Sequence, residues 1–527
     1  MSSKNGRTKL FTVIQKCFTA AQKCRNENIA AEEYLESEKE KYLSRRKFLE
    51  QAGKLSAITA LAGTAMLTES FAYKNKDVKI VIVGAGIAGL SAAYHLKKAG
   101  YSPIIYEASN RPGGRMFTAQ NLFFEGSWTE LGAEFIDTEH KHIWKYIKEF
   151  ELETIDILSE SEQQLIPLTF YFDGKHYSEK EIIEAFLPIV QKISLDQKKL
   201  SEEIYYNQHS AFDAEMDKLS IEAYLEKIGA TGLIKEVIEI AFITEYGEDI
   251  GNQSALNFLT VIGTDTTSFK YYGESDERYK VKGGNQKITD ALAKKLEGEI
   301  FFDHTLTALK KPASTKIELT FTQQNGSVKT KEADRVLLTL PFTILKDIEM
   351  SLEMSNEKMH CIQNIGYGKN VKLFAGFNSK PWRFQDYTGA VFTSNGIQSG
   401  WDNTQLQENE KSGFTIFTGG ALSNQLGTHD PAYHITKMLP LVDEIYPGSS
   451  GFFNGISQRM HWPTYKFAKA SYLSLKPGQY TTMSGLIGEP VGNIFFAGEH
   501  CSYHYQGFMN GAAETGIHAA KKIMRSL

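Results

Sequence analysis

The sequence of 527 residues is poor in cysteine, and this scarcity excludes two classes of protein. It contains four cysteines, Cys17, Cys24, Cys361 and Cys501. That number is far too low for a scaffold held together by disulfides, and no pair has the spacing of a zinc site. We therefore predict no metal site and no disulfide framework.

An excess of positive charge is also missing. The chain has 58 Lys and Arg against 63 Asp and Glu, a formal net charge of −5. No basic cluster with interleaved aromatic residues occurs in the body of the chain, so no nucleic-acid partner is expected. What is present is the composition of a globular protein, with 42% hydrophobic and 23% charged residues. The length is too great for one ordinary core and predicts two domains.

The uncharged run near the N-terminus is too short to cross a membrane. Leu55–Thr68 has 14 residues, whereas a spanning helix needs roughly 20. The run follows the sequence SRRKFL at Ser44–Leu49, and Ser70 and Ala72 occupy the −3 and −1 positions of a small-residue cleavage site. This layout is that of an export signal, and the paired arginines resemble the twin-arginine class. An amphipathic helix with two arginines is the alternative.

We therefore predict that residues 1–72 are a twin-arginine signal region. The twin-arginine export machinery would then be a partner of this chain. Cleavage near Ala72 would leave a periplasmic or extracellular protein without a stable membrane anchor.

The segment Val78–Arg115 carries a dinucleotide-binding pattern. Val78–Val83 is β-branched at every position except Lys79, as a buried parallel strand favours. A tight turn, close approach of a pyrophosphate to the backbone and close packing of a helix each require a glycine after such a strand. Three glycines with G-x-G-x-x-G spacing follow it: Gly84, Gly86 and Gly89. The pattern predicts a strand, a phosphate-binding turn and a helix.

Two features after this turn distinguish FAD from NAD. The second predicted strand ends at Glu107, whose carboxylate can accept hydrogen bonds from ribose hydroxyls. The sequence RPGGR at Arg111–Arg115 then adds a second glycine pair and an arginine, which the NAD fingerprint lacks. This extension resembles the flavin-containing amine oxidase family, which includes monoamine, polyamine and L-amino-acid oxidases. In that family the arginine, here Arg115, reaches the FAD pyrophosphate; a plain glycine turn is the alternative.

The C-terminal segment Asn493–Ile523 resembles the same family. A strand ends at Ala497, and a helix with small residues opens near Gly511, where its N-terminus favours anionic groups. The family places this strand end beside the FAD ribityl chain and pyrophosphate. The resemblance, which runs from Val78 to Leu527, implies these cofactor-binding residues: Gly84, Gly86, Ala88, Gly89, Glu107, Arg115, Gly132, Ala133, Leu306, Gly498, Glu499, Gly507 and Met509.

The predicted fold class is α/β, with an FAD-binding Rossmann-like domain (doubly wound, βαβ) assembled from discontinuous segments and an α+β substrate-binding domain. Segments between residues 140 and 247 carry apolar residues at helical spacing. Asp173-Gly174 predicts a hairpin turn. The predicted FAD-binding domain comprises residues 76–136, 272–345 and 455–527, and the predicted substrate-binding domain comprises residues 137–271 and 346–454.

A lysine in a predicted strand is the first candidate catalytic residue. Lys372 shares one face of Val371–Phe377 with Phe374 and Gly376. It is either on the solvated side of an edge strand or buried with a function. In the family a lysine ten residues before a tryptophan, as in Lys372 and Trp382, lies near flavin N5 and holds a water. Burial disfavours the charged form of an amine, so such a lysine can act as a base or activate oxygen.

Aromatic residues near the C-terminus are the second group of candidates. Tyr472 and Phe508, with Trp462 nearby, align with the rings that flank the substrate amine in the family; packing in the core is the alternative. Some members bind the flavin covalently through a cysteine directly before the first ring. This chain has Ser471 there, so we predict non-covalent FAD. We expect Cys501 to be a small core residue and not a flavin anchor.

The sequence ELGAEFID contains the third candidate, Asp137. Its Gly132 and Ala133 resemble the stretch that passes the flavin ring. Amino-acid oxidases carry an arginine for the substrate carboxylate where this chain has Phe135, and polyamine oxidases carry an acid or histidine at the position of Asp137. The resemblance therefore favours an amine with a second positive group, unless Asp137 is a solvated surface acid.

Together these residues predict an FAD-dependent oxidase of a primary or secondary amine, such as a diamine or polyamine. Hydride passes to flavin N5, O2 is reduced to H2O2, and the imine hydrolyses to an aldehyde and an amine or ammonia. One alternative is an L-amino-acid oxidase whose carboxylate anchor is Arg278 or Arg383. Another is a flavoprotein that does not use oxygen, such as a desaturase or an electron-transfer partner.

Overall fold

The nucleotide end of the molecule is a five-stranded parallel sheet. The computed structural model describes residues 9–39, 77–262, 275–311 and 316–527. All four residues of the central strand are buried, as expected when helices cover both faces of a parallel sheet. The strands come from both ends and the middle of the chain, in the spatial order Ile494–Phe496, Arg335–Leu338, Ile80–Val83, Ile104–Tyr106 and Ile300–Phe301.

The helix predicted after the glycine turn runs from Ile87 to Lys98. It packs against the last helix of the chain, Met509–Arg525. Helix Gln286–Lys295 and helix Lys141–Glu149 also contribute to this core. The βαβ arrangement is therefore confirmed. The predicted domain boundary at 137 is wrong for Lys141–Glu149, because the apolar side of this helix is buried against the nucleotide-binding helices.

Smaller sheets surround this core. One has four strands, in the order Val328–Ala333, Ile317–Thr322, Thr305–Lys310 and Glu349–Ser351. Two are two-stranded: Thr118–Gln120 with Trp128–Glu130, and Thr154–Asp156 with Tyr279–Val281. The last of these pairs joins a segment of each predicted domain.

The second domain contains a seven-stranded mixed sheet. Its strands in spatial order are Phe453–His461, Val371–Phe377, Ser412–Thr418, Gln398–Asp402, Val391–Thr393, Thr169–Phe172 and Lys175–Tyr177. The predicted boundary at 455 is wrong, because it falls inside Phe453–His461, which pairs along Val371–Phe377. The hairpin at Asp173-Gly174 is confirmed, with φ of 50° and 71° at the two turn residues.

Helices cover this sheet and form the rest of the substrate domain. The amphipathic segments predicted between residues 140 and 247 are helical, and all of them except Lys141–Glu149 belong to this part. Ser178 begins one of them with a reciprocal capping box to Glu181. No helix in the described ranges has both the length and the apolar character needed to cross a membrane. The helices of this part are Glu179–Gln197, Ala211–Lys218, Ile221–Ile228, Leu233–Tyr246, Ala255–Leu259, Phe342–Leu345, Asn356–Asn364, Gly420–Leu426, Pro431–Ile445 and Tyr480–Met483.

A helix from the predicted signal region also packs on the substrate domain. Lys9–Glu27 lies against Glu179–Gln197. The ring of Phe18 meets that of Phe186 edge to face, with centroids 5.5 Å apart. The paired arginines, the uncharged run and the predicted cleavage site near Ala72 lie outside the described residues, so cleavage there stays a prediction.

Candidate active site

One long cavity runs from the glycine turn to the seven-stranded sheet. It lies where the carboxyl ends of the parallel strands face the substrate domain, the usual place for a ligand in such folds. Among the predicted cofactor residues, only Gly89 does not line it. The lining residues from that set are Gly84, Gly86, Ala88, Glu107, Arg115, Gly132, Ala133, Leu306, Gly498, Glu499, Gly507 and Met509.

The three glycines of the turn have different surroundings. Gly84 has a φ of +105°, which favours glycine at the turn. A Cβ at Gly89 would overlap the carbonyl oxygen of Gly84, so only glycine lets the helix start this close to the turn. A Cβ at Gly86 would meet nothing within 4 Å. This open space at the cavity wall fits close approach of a pyrophosphate to the backbone.

Glu107 is buried at the end of the second strand, where it lines the cavity. Its carboxylate accepts hydrogen bonds from the backbone N–H of Ala85 at 2.7 Å and from the N–H and hydroxyl of Ser109 at 2.9 and 2.7 Å. A carboxylate has about four lone-pair sites, so it retains capacity for a ribose hydroxyl. Glu107 is thus fixed in a position suited to the adenosine end of FAD.

Positive groups meet the middle of the cavity. The guanidinium of Arg115 donates to Glu499 at 3.0 Å and also to the carbonyl of Ser471. Glu499 also accepts from the N–H of Gly507 at 2.9 Å. The helix Met509–Arg525 begins directly after this turn, with its N-terminus at the cavity. An arginine beside a helix N-terminus suits a pyrophosphate, so these residues fit FAD.

Lys372 lies on a central strand, so the edge-strand interpretation is wrong. Every residue of Val371–Phe377 is buried, and the strand is paired on both sides. Lys372 Nζ donates to Glu134 Oε2 at 2.7 Å and to the carbonyls of Gly132 and Glu130 at 2.9 and 3.1 Å. These contacts use all three donors of an ammonium. The geometry is that of a charged lysine in the cavity wall rather than a free base.

Glu134 was not among the residues that the sequence predicted. Its two oxygens accept from Lys372 and, at 2.6 Å, from Lys280, and the indole N–H of Trp401 donates to it at 2.9 Å. Burial alone would raise the pKa of this carboxyl, but the two lysines lower it to about 2. Glu134 is therefore ionised and holds both lysines in place.

Glu130 is a second buried carboxyl in this region. It accepts hydrogen bonds from the N–H of Asn285 at 2.6 Å and from the hydroxyl of Thr118 at 2.9 Å. Burial raises its pKa to about 7, because no cation contacts the carboxylate directly. Glu130 and Glu134 thus have opposite pKa shifts although both are buried.

The predicted aromatic pair lines the same cavity as Lys372. The hydroxyl of Tyr472 donates to the carbonyl of Thr244 at 2.9 Å, which fixes the direction of its ring. Phe508 packs edge to face on His140, with centroids 4.9 Å apart. The structure therefore brings Lys372, Tyr472 and Phe508 to one chamber.

No cysteine lines the cavity in the described part of the chain. Ser471 is at the wall, where a covalent flavin bond would need a thiol. Cys501 lies outside the cavity, and burial raises the pKa of its thiol to about 12. The described lining therefore offers no thiol for a covalent link to the flavin, in keeping with the prediction of non-covalent FAD. Across the described residues, no group of three or more His, Cys, Asp or Glu side chains is arranged to hold a metal ion.

A wall of three aromatic rings lines the substrate end of the cavity. Trp401 lies between Phe135 and Phe417, with ring centroids 5.8 and 5.7 Å away. From the sequence, Phe135 was noted only because amino-acid oxidases carry an arginine at this position. Trp401 and Phe417 lie on neighbouring strands of the seven-stranded sheet and carry no motif. Only the sheet topology brings them to the site.

Asp137 does not reach the cavity. It is 1% exposed, so the surface-acid interpretation is wrong. Its carboxylate accepts from the N–H of Glu277 at 2.9 Å and lies 3.1 Å from His140 Nε2. The neighbouring residue Ile136 is bridged to Tyr279, which holds this stretch behind the wall. The acids at the substrate end of the cavity are instead Glu134 and Glu277.

The two arginines considered as carboxylate anchors lie elsewhere. Arg278 forms a two-point ion pair with Asp156, at 2.9 and 2.6 Å. Arg383 does the same with Glu162, at 3.1 and 2.7 Å. Neither arginine lines the cavity. Trp382 also lies outside it, buried in the core with its N–H directed at Asp402.

Solved structures similar to this chain include a putrescine oxidase bound to putrescine and a cyclohexylamine oxidase from Brevibacterium oxydans. The TM-scores are 0.72 and 0.73, and the sequence identities are 18% and 19%. Each match covers 85% of this chain and 99% of the other. The predicted α/β fold with an FAD-binding domain is thus confirmed.

Curated relatives and a family model extend the comparison. An L-amino-acid oxidase of Daboia russelii is 25% identical, covering 85% of this chain and 89% of its own length. Amine oxidase A of Equus caballus is 23% identical, covering 85% of each chain, and a pseudooxynicotine dehydrogenase of Pseudomonas sp. is 23% identical, covering 90% and 94%. The family model for flavin containing amine oxidoreductase matches residues 87–524. The chain therefore belongs to the flavin-containing amine oxidoreductase family and is an FAD-dependent enzyme that oxidises amines.

Proposed function

We propose that this enzyme is an oxidase whose substrate is a primary or secondary amine with an aromatic or bulky apolar body. The observation that carries the proposal is the wall of Phe135, Trp401 and Phe417, which lines the same chamber as Tyr472 and Phe508. Aromatic side chains bury large apolar areas and pair favourably with other rings. The sequence favoured a second cationic group on the substrate because of Asp137, but that acid lies behind the wall.

The residues of this chain bind and orient the reactants. FAD, when bound, supplies the flavin N5 that accepts a hydride from the substrate carbon next to nitrogen. The rings of Tyr472 and Phe508 hold the neutral amine so that this carbon faces the cofactor. The aromatic wall excludes water from the chamber. Lys372 stays charged on Glu134 and supplies a fixed positive charge in the cavity wall.

Dioxygen is the proposed electron acceptor, with H2O2 as product and hydrolysis of the released imine to an aldehyde. The alternative is that the electrons pass to an acceptor other than dioxygen. It should be tested because one relative, the pseudooxynicotine dehydrogenase of Pseudomonas sp., is named as a dehydrogenase. Photoreduced holoenzyme mixed with air distinguishes the two. Reoxidation that takes many minutes would refute the oxidase proposal.

An L-amino-acid substrate is the second candidate. Lys280 and Lys372 share the single carboxylate of Glu134, so this cluster carries one net positive charge that could attract a substrate carboxylate. The similarity to the L-amino-acid oxidase of Daboia russelii also supports this candidate. Against it, neither Arg278 nor Arg383 reaches the cavity.

A peroxide-release screen with phenethylamine, putrescine, spermidine and free amino acids tests the substrate class. We expect phenethylamine to have the highest kcat/KM. Trp401→Ala should lower kcat/KM for phenethylamine about tenfold, by removing part of the ring contact, and should affect putrescine less. Turnover of amino acids alone would refute the amine proposal, and a preference for putrescine or spermidine would refute the aromatic one.

We also propose that the twin-arginine machinery exports the protein in its folded, FAD-loaded state. The support is the sequence: paired arginines, an uncharged run and small residues follow in the order of such a signal. An FAD domain assembled from distant segments must fold around its cofactor before transport, and peroxide is less harmful outside the cytoplasm. Replacing Arg45 and Arg46 by lysine and measuring flavin in periplasmic and cytoplasmic fractions tests this. Unchanged distribution would refute the proposal.

A further inference from the structure

The region before the paired arginines contributes to the hydrophobic core of the substrate domain. The helix Lys9–Glu27 lies against Glu179–Gln197 and Leu233–Tyr246. One side of it is almost completely removed from solvent, as expected for a helix inside a folded domain. The side chains on that side with exposures of 2% or less are Ile14, Gln15, Cys17, Phe18, Ala21 and Cys24.

Polar contacts fix the position of this helix. The amide of Gln15 donates to the carbonyl of Val261, and the amide of Gln22 donates to the hydroxyl of Ser194 at 2.5 Å. Near the end of the helix, Arg25 donates to the side chain of Gln191 at 3.0 Å. Since buried amides need partners, these contacts specify one register of the helix on its groove.

The contact of Gln15 with Val261 joins this helix to a further part of the substrate domain. Val261 follows the short helix Ala255–Leu259, whose end is also held by an amide hydrogen bond from Gln197 to the carbonyl of Leu259, at 2.9 Å. The N-terminal helix thus contacts the end of a short helix that Glu179–Gln197 also holds.

We propose that residues 9–39 are a permanent docked segment of the mature enzyme. A cut between residues 40 and 76 would leave two pieces, and the N-terminal piece would stay bound to the substrate domain without a covalent link. The docking depends on the buried contacts and does not rest on the proposed export. Loss of the segment would expose Phe186 and its apolar neighbours, which the helix covers.

Controlled proteolysis of the purified holoenzyme tests the docking. A site-specific protease sequence is inserted between residues 40 and 76, the protein is cut, and the products are separated by size exclusion. We expect the N-terminal piece to co-elute with the FAD-containing body and the Tm to change little. Separation of the pieces with unchanged Tm and activity of the body would overturn the proposal.

Matched variants and native thiols sharpen the test. Phe18→Asp places a charge in the groove and should release the cut piece, whereas Lys16→Asp, at an exposed position of the same helix, should not. Cys17 and Cys24 are free and buried. They should react with a maleimide at least about tenfold more slowly in cut wild type than in cut Phe18→Asp, because docking protects them. Labelling of Cys17 and Cys24 in cut wild type as fast as in a released Phe18→Asp piece would overturn the proposal.

This test is independent of export. It uses purified protein cut in vitro, so its result stands whether or not the arginine variants change the cellular distribution of flavin. A protein that is not exported but retains the cut piece would refute the export proposal and leave the docked segment supported.

Discussion

The two ends of the active-site cavity differ in whether backbone or side chains form most of the wall. At the nucleotide end the wall consists mainly of backbone at glycines, a helix N-terminus and one fixed carboxylate, Glu107. At the substrate end it consists of side chains: the cluster of Lys280, Glu134 and Lys372 and a wall of aromatic rings. The nucleotide end depends on the absence of side chains, whereas the substrate end depends on their charges and shapes.

This difference determines how each end should respond to substitution. A Cβ added at Gly89 meets backbone that cannot move without displacing the strand and helix. A changed side chain at the substrate end leaves the backbone in place but alters buried charges, whose balance depends on partners far apart in sequence.

The largest expected effect is at the nucleotide end. Gly89→Val would drive a side chain into the carbonyl of Gly84 and separate the helix from its strand, so we expect loss of bound FAD. Flavin absorbance per purified protein measures this. Gly100→Asn is the control, since a Cβ at Gly100 would have open space around it and asparagine tolerates the positive φ of this position. Normal flavin content in Gly89→Val would contradict the role given to this end.

The second effect tests the charge cluster at the substrate end. Glu134→Gln leaves the ammonium groups of two buried lysines without their carboxylate, which should lower the free energy of unfolding by about 3 kcal/mol or more. Chemical denaturation of the holoenzyme measures it. Glu153→Gln breaks an exposed ion pair with Lys282 and should have no measurable effect. Equal stability of the two variants would show that the cluster has no structural role.

The third effect is a pH dependence from Glu130, whose backbone carbonyl contacts Lys372 while its side chain contacts the nucleotide domain. Its folded-state pKa of about 7 exceeds the unfolded value, so the folded state binds more protons and this group's contribution to stability falls between about pH 4.5 and 7. Glu130→Gln should remove that fall. The free energy of unfolding of wild type minus that of Glu130→Gln should fall by on the order of 2 kcal/mol between pH 5 and pH 8. A pH-independent difference, measured by denaturation at both values, would contradict the raised pKa.

The smallest effect compares two buried lysines. Lys372→Met should retain FAD and fold but slow flavin reduction or reoxidation at least about tenfold, or ~1.4 kcal/mol in barrier. Lys358 also has three acceptors, but all are backbone carbonyls, at 2.6 to 3.0 Å, and it lies outside the cavity. Lys358→Met should therefore leave flavin kinetics unchanged. Stopped-flow absorbance measures both, and unchanged kinetics in Lys372→Met would leave that lysine with a structural role only.

The nucleotide end could be predicted from the sequence because its requirements are local. Gly84, Gly86 and Gly89 lie within six residues, and each is needed for a reason that spacing alone reveals. The amphipathic helices and the Asp173-Gly174 hairpin were predicted correctly for the same reason, since periodicity and turn preference operate over a few residues.

The substrate end could not be predicted in this way. Glu134, Lys280 and Trp401 are brought together by a loop and two strands that are distant in sequence, and no short pattern connects them. Asp137 was placed at the cavity by resemblance, but the bridge from Ile136 to Tyr279 holds it behind the wall. The pairing of Phe453–His461 with Val371–Phe377 moved a predicted domain boundary, because strand partners are chosen by the whole sheet.

The packing of the last helix, Met509–Arg525, on the first nucleotide-binding helix, Ile87–Lys98, has a consequence for synthesis. The final strand of the parallel sheet, Ile494–Phe496, is also translated long after Arg335–Leu338, the strand with which it pairs. While the chain is being translated, the apolar side of Ile87–Lys98 lacks the last helix as its partner, and the cofactor cavity lacks one wall until the C-terminus leaves the ribosome. Contacts between such distant residues form slowly and expose apolar surface meanwhile. Chaperone supply and FAD supply during the minutes after translation should therefore limit the yield of active enzyme.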